Sequence, residues 1–187
     1  MPESKDLTEH QLSSESVFDG VLLKVRRDIV RLPDGSNGGR EYIEHSGAVA
    51  IIPILDTGEI VFERQYRYPL RKTMIEIPAG KIDAGEEPLA TARRELLEET
   101  GYSARDWAHL MTFHPVIAYS TERIEIFIAR GLTLQEQKLD DGEFLEVFTA
   151  PLATALEWVR TGSITDSKTI IGLMWLDKQQ SGAWPVA

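Results

Sequence analysis

Residues 80–102 read GKIDAGEEPLATARRELLEETGY, and this stretch decides how the rest of the chain is understood. Behind a glycine-rich approach, Arg94, Glu95, Glu98 and Glu99 crowd one short helical pattern. At about 100° per residue Glu95, Glu98 and Glu99 fall at i, i+3 and i+4 and share one helix face, where like charges repel by roughly a few tenths of a kcal/mol per pair. A hard divalent cation reverses the sign of that interaction. Carboxylate oxygens suit Mg²⁺, with Mn²⁺ as the alternative. An ordinary solvated acidic helix also presents three glutamates on one face, so the cluster alone leaves both readings open.

The opposite face carries Leu89, Ala92 and Leu96, the i, i+3, i+7 spacing of an apolar stripe that packs on a core. The ends of the helix are marked as well. Pro88 suits the first helical position, Glu86 and Glu87 lie at the positive end of the helix dipole, and Gly101 can take the left-handed conformation just past the last turn.

The complete string is more specific than its parts. Gly80, five residues, Glu86, seven residues, Arg94-Glu95-Leu96, one residue, Glu98-Glu99, one residue, Gly101 and Tyr102 resembles the Nudix box. Tyr102 departs from it, standing where a small aliphatic residue is more usual, which bears on packing rather than chemistry. The resemblance implies an α/β/α sandwich, an α+β arrangement with a mixed sheet and an N-terminal β extension. It also implies metal-dependent cleavage of a nucleoside diphosphate linked to another group. By the same resemblance, the Ala79 carbonyl, Glu95 and Glu99 bind the metal, and Glu98 shares or orients its surroundings. Gly80, Glu86, Arg94 and Gly101 are structural, with Arg94 a bidentate partner that holds Glu86.

Length and composition agree. The 187 residues suit one domain, divided here into a flexible N-terminus with a β-strand dimerisation extension over 1–45 and a hydrolase domain over 46–187. A hydrophobic content of 42% is enough for a sizeable core. No segment approaches the ~18 apolar residues that span a bilayer, and the polar start MPESKDLTEHQLSSES lacks the apolar region of a signal peptide. The chain has no cysteine, hence no disulfide framework and no thiolate ligand. A cytoplasmic protein without a membrane partner is the expectation. The formal charge of −10 argues against nucleic acid as a partner and requires placed arginines and a cation if the substrate is itself anionic.

Along the chain, residues 1 to about 16 read as flexible. Val17–Leu32 alternates as one strand, a turn covers 33–39, and 40–44 returns as its pair. The apolar run 48–55 fits a buried strand, and a turn at 56–58 leads to a second strand over 59–68. Met74–Pro78 delivers the chain to the box. Strands are expected over 109–116, 123–129 and 144–149, and helices over 153–160 and 167–179.

The flanks narrow the resemblance to the ADP-ribose pyrophosphatase branch. It is carried by Gln65-Tyr66-Arg67, by Glu76-Ile77-Pro78-Ala79-Gly80, by Pro115 thirteen residues after the box, and by Asp140-Asp141-Gly142-Glu143-Phe144. Where that branch often has Pro-Gly after the proline, this chain has Val116-Ile117-Ala118-Tyr119. The resemblance makes Arg67 the phosphate clamp and places Glu76 among the substrate contacts. It draws the general base from the loop before the last strand, with Asp141 or Glu143 activating water, Glu143 also touching metal, and Glu98 as the box alternative. Phe18 resembles an adenine-stacking residue supplied across a homodimer. His10, His45, His109 and His114 show no metal-ligand spacing.

Three functions follow: hydrolysis of ADP-ribose to AMP and ribose 5-phosphate, hydrolysis of GDP-mannose or another nucleotide sugar, or non-catalytic sensing of ADP-ribose. Sensors of that kind usually lose a box carboxylate and carry a basic DNA-binding domain, and this chain shows neither feature.

Overall fold

The computed structural model describes residues 5–139 and 141–184. In chain order its strands are β1 (His10–Asp19), β2 (Lys24–Arg31), β3 (Asn37–Glu44), β4 (Ala48–Pro53), β5 (Ile60–Arg67), β6 (Lys72–Glu76), β7 (Ala79–Lys81), β8 (Tyr102–Phe113), β9 (Ile124–Leu134) and β10 (Leu145–Ala150). The helices are α1 (Pro88–Thr100), α2 (Leu152–Arg160) and α3 (Ser167–Gln180).

The central sheet has the order β7-β4-β9-β8, with β4 and β9 parallel and the other pairs antiparallel. β4 is apolar on both faces because both are covered. Val49 and Ile51 pack with Ile82, Phe127 and the α1 residues Ala92 and Leu96. Ala50 and Ile52 pack on the other side with Ile77, Ile126, Ile128 and the α3 residues Leu173 and Leu176. The sheet is thus sandwiched between α1 and the α2–α3 pair. The apolar stripe of α1 turns inward and its charged edge stays at the rim.

A second antiparallel sheet, β10-β5-β6, closes the core with Phe62, whose ring stacks on Phe148 at 5.8 Å and meets Trp158 edge-on at 6.3 Å. The opposite face of β5 carries Glu63, Gln65 and Arg67 in alternation, and Glu63 pairs in register with Glu76 of β6.

The N-terminal region departs from its sequence reading. Residues 10–19, expected to be flexible as far as 16, form β1, every residue of which is exposed, and a turn over 20–23 divides the single strand expected over 17–32. Hydrophobic alternation cannot find such a strand, because it is fixed by main-chain pairing with β2 and by cross-strand ion pairs such as Arg27 with Glu15. The turn after β2 is also shorter than expected. Gly38 and Gly39 already pair with Val30 and Ile29. The sheet β1-β2-β3 joins the body through Ile43, whose N–H donates to the Tyr119 carbonyl and whose carbonyl accepts from Thr121 N–H.

Candidate active site

The box folds as a loop, helix and loop around one arginine. Pro88 opens α1, and Gly101 closes it at φ 73° with its N–H on the Leu97 carbonyl. Arg94 donates from Nε and Nη2 to both oxygens of Glu86, at 3.2 and 3.0 Å, and from Nη1 to Glu95 at 2.8 Å and Glu98 at 3.0 Å. This guanidinium holds the Glu86 carboxyl down at about 2.

Gly80 is required by the position of Glu95. A Cβ at residue 80 would lie 1.9 Å from the Glu95 Cδ, so the carboxylate rests directly on the β7 backbone. Burial first, then repulsion from Glu98 and Glu143, raises the Glu95 carboxyl to about 6 in spite of Arg94. Glu99 does not share the solvent face with its neighbours. It turns inward, is 3% exposed, and accepts the Ala79 N–H at 2.9 Å. Burial, with Glu63 and Glu95 nearby, lifts its carboxyl well above the ordinary range.

Glu63 has no counterpart in the sequence reading. It is fully buried, and neither carboxylate oxygen has a hydrogen-bond partner; Gln65 Oε1 beside it is in the same condition. Of the four buried side-chain atoms without a partner among the described residues, three belong to this β5 row. Burial and the neighbouring Glu76 raise the Glu63 carboxyl far above its usual value. Period-two counting back from Arg67 would have placed Glu63 on the Arg67 face.

Glu76, expected among the substrate contacts, is held from within the protein. It is 2% exposed, and both oxygens are engaged internally. Arg67 donates from Nε and Nη2 at 2.7 and 2.8 Å, while Lys168 Nζ makes a close ion pair with Oε2. Burial alone would raise the Glu76 carboxyl; the two cations hold it low instead. Glu76 therefore positions Arg67 and Lys168, and most of its acceptor capacity is used within the protein. Lys168 also meets Asp166 at 3.1 Å, the residue that caps α3 by accepting Thr169 N–H. No local signal marked Lys168, which reaches Glu76 across 92 residues of sequence.

A cleft of about 330 Å³ opens at the Ala79–Gly80 backbone against which Glu99 and Glu95 rest. Arg67, Ala79, Gly80, Lys81, Pro115 and Lys168 line it, with His45 at the side. An adjoining cavity of about 240 Å³, lined by Leu22, Leu23, Ile43, Val116 and Tyr119, shares His45 and Glu122 with the cleft. The loop before β10 approaches through Glu143, which accepts from Gln65 Nε2 at 3.0 Å. Asp141 is exposed, and Asp140 lies outside the described residues. Phe18 is 55% exposed on β1, its ring against Gly20, and is not part of this cleft's wall. His114 is exposed, so the histidine at the cleft is His45.

Among the described residues no three His, Asp or Glu side chains already stand in ligand geometry. The donor set nevertheless fits a hard divalent cation. It consists of oxygens only, several of them buried, mutually repelling and partly unpaired.

The NUDIX domain matches residues 44–168, and the nucleoside diphosphate sugar hydrolase N-terminal domain matches residues 9–43. The chain is 39% identical over 175 residues to the methanol dehydrogenase activator of Bacillus methanolicus, covering 92% of this chain and 95% of that protein. It is 37% identical over 179 residues to the ADP-ribose pyrophosphatase of Bacillus subtilis strain 168, covering 95% and 97%. A crystal structure of an ADP compounds hydrolase superposes with a TM-score of 0.86 at 25% identity, covering 98% of this chain and all of that one.

The chain belongs to the Nudix family. It is a Nudix hydrolase of the nucleoside diphosphate sugar type, built on the α+β sandwich of that family. Among the described residues no helix is long and apolar enough to cross a membrane.

Proposed function

We propose that the protein hydrolyses the pyrophosphate bond of ADP-ribose, giving AMP and ribose 5-phosphate, with Mg²⁺ as its working ion and Mn²⁺ as a substitute. The observation that carries this reading is the cleft lined by Arg67, Lys168 and the Ala79–Gly80 backbone, with both cations bonded to the buried Glu76 and with Glu99 and Glu95 resting against that same backbone. Two cations beside a backbone that carries box carboxylates suit a diphosphate. One side recognises phosphate oxygens directly, and the other requires a metal ion between itself and the substrate.

Each group then has a task. Arg67 presents a planar fork to phosphate, and Lys168 adds a point charge. The Ala79 carbonyl, Glu95 and Glu99, with Glu98 beside them, would hold the cation, which when bound neutralises phosphate charge and acidifies a water. Glu143 lies next to Gln65 at the same end, and Asp141 two residues before it is solvent-accessible with Gly142 at φ 87° between them. Either carboxylate can take the proton of the attacking water once the loop brings it within about 3 Å.

The cleft of about 330 Å³ stands at the small end of the roughly 300–1,000 Å³ range of ligand sites. The adjoining apolar cavity gives a flat base somewhere to lie beside it. A homodimer supports the same substrate. Leu12, Val17, Phe18, Val21, Leu22 and Leu23 are exposed on and beside the N-terminal sheet, whose first strand has every residue uncovered. A second copy would cover them and bring its own Phe18 toward the base.

Steady-state rates on ADP-ribose, GDP-mannose, UDP-glucose and NADH in Mg²⁺ test the substrate. ADP-ribose should give the highest kcat/KM, and a tenfold preference for GDP-mannose would refute the assignment. Light scattering should give a dimer of twice the 21.0 kDa chain mass. A fully active monomer at micromolar concentration would remove Phe18 from the site.

A further inference from the structure

We propose that Glu63, with Gln65 beside it on β5, forms an additional cation-binding edge that reaches the box from the sheet side. The proposal deepens the reading of the box as a divalent-cation site and rests on it. Its starting point is an imbalance of hydrogen bonding. Three acceptor oxygens, two on Glu63 and one on Gln65, are buried with no donor among the described residues, whereas buried polar groups in native proteins are nearly always paired. All three are oxygens, the ligand type that Mg²⁺ and Mn²⁺ select.

Their placement is fixed by the sheet. Residues 63, 65 and 67 share one face of β5, where Arg67 borders the cleft and Gln65 Nε2 holds Glu143. The paired residues Glu76 and Val147 hold Glu63 in register from both sides. Arg67 and Lys168 both bond Glu76, and among the described residues no cation pairs directly with Glu63. From the box side, Glu99 turns inward and at 3% exposed is buried like Glu63, and Gln65, two residues along the β5 row, is bonded to Glu143 of the loop that approaches the box. A divalent cation between the β5 row and Glu99 would satisfy both sets of lone pairs. An isolated carboxylate in that position would otherwise be strongly disfavoured.

The test is Mn²⁺ binding to the full-length protein in the absence of nucleotide. Free Mn²⁺ is followed by electron paramagnetic resonance and heats by titration calorimetry at pH 7.5, for wild type, Glu63→Gln and Glu63→Val. Glu125→Gln, altering a carboxylate on β9 that is paired with Thr112 and His109, is the control. The wild type should bind Mn²⁺, and Glu63→Gln should weaken binding at least tenfold or remove one bound ion. Glu63→Val should do the same while melting no lower than wild type in EDTA, which separates ion binding from folding. Glu125→Gln should bind as wild type does. Unchanged Mn²⁺ affinity and stoichiometry in Glu63→Gln would overturn the proposal while leaving the box as a cation site. A wild type that binds no Mn²⁺ would overturn both.

Discussion

Gly80→Ala offers a direct test of how the box is built, because its effect falls on one carboxylate and not on the fold. The added Cβ would lie 1.9 Å from Cδ of Glu95 and 2.0 and 2.4 Å from its oxygens. Ordinary contact begins near 3.4 Å, so the carboxylate must withdraw by about 1.5 Å, the difference between 3.4 and 1.9. Gly80 pairs with Val49 in the sheet and is not among the residues of positive φ, so alanine suits its backbone. The change also breaks the 2.8 Å bond from Arg94 to Glu95, which otherwise orients that oxygen. A misplacement of about 1 Å in a catalytic constellation costs on the order of 10²-fold, equivalent to about 3 kcal/mol of transition-state stabilisation. The assay is kcat/KM for ADP-ribose across a Mg²⁺ titration, with a thermal melt alongside. Activity should fall about 10²-fold and the Mg²⁺ requirement should rise, with a melting temperature within a few degrees of wild type. Activity within threefold of wild type would show that Glu95 does not act from its position on Gly80.

Other outcomes follow from the same geometry. Glu99→Gln should lower kcat by roughly 10²-fold, about 3 kcal/mol, with the fold intact, since the amide oxygen can still accept the Ala79 N–H; near-normal turnover in Mg²⁺ would remove Glu99 as a ligand. If Asp141 or Glu143 activates water, its amide variant should lose kcat at nearly constant KM, and full activity in both Asp141→Asn and Glu143→Gln would move the base to Glu98. In EDTA the protein should lose stability as pH rises from 5 to 8.5. Glu63, Glu95 and Glu99 have folded-state values raised above their unfolded ones, so the folded protein holds more protons across that window, which for Glu95 ends near pH 6. Mg²⁺ should flatten the slope, and a melt that is pH-independent in EDTA would contradict the burial of these three groups as carboxylates.

Most of the framework was legible in the sequence because it is written in local patterns. The box spacing gives α1, its apolar stripe and its ends, and the run 48–55 gives β4 as a strand buried on both faces. Three kinds of information escaped. β1 is stabilised by pairing rather than by hydrophobic alternation, so its polar, fully exposed residues read as flexible. Lys168 and Glu76 meet only because α3 returns to the sheet edge, a contact no local pattern encodes. Glu76 was placed among substrate contacts by the resemblance of its flank, and its burial under two cations is a tertiary fact the flank does not encode. Glu63 lay within reach of period-two counting, yet a charged residue in an otherwise apolar strand looks solvated until the opposing layer is known.

The distribution of charge then explains why a cation and the substrate should depend on one another. Arg94 is occupied by Glu86, Glu95 and Glu98, and Lys168 is shared between Glu76 and Asp166. Arg67, also tied to Glu76, is the guanidinium whose edge lines the cleft. Against these stand Glu95, Glu98, Glu99, Glu63 and Glu143, in a chain of net charge −10. The members that are ionised repel a diphosphate until positive charge is added to the box, and the raised carboxyls of Glu63 and Glu99 must give up their protons to hold it. Conversely, phosphate oxygens complete the surroundings of an ion that protein carboxylates hold from one side only. Each ligand therefore improves the site for the other, and by linkage the factor by which Mg²⁺ tightens substrate binding must equal the factor by which substrate tightens Mg²⁺ binding. Buried carboxylates that destabilise the metal-free protein are in this sense the source of the coupling, because ions and substrate together remove the repulsion that folding alone leaves in place.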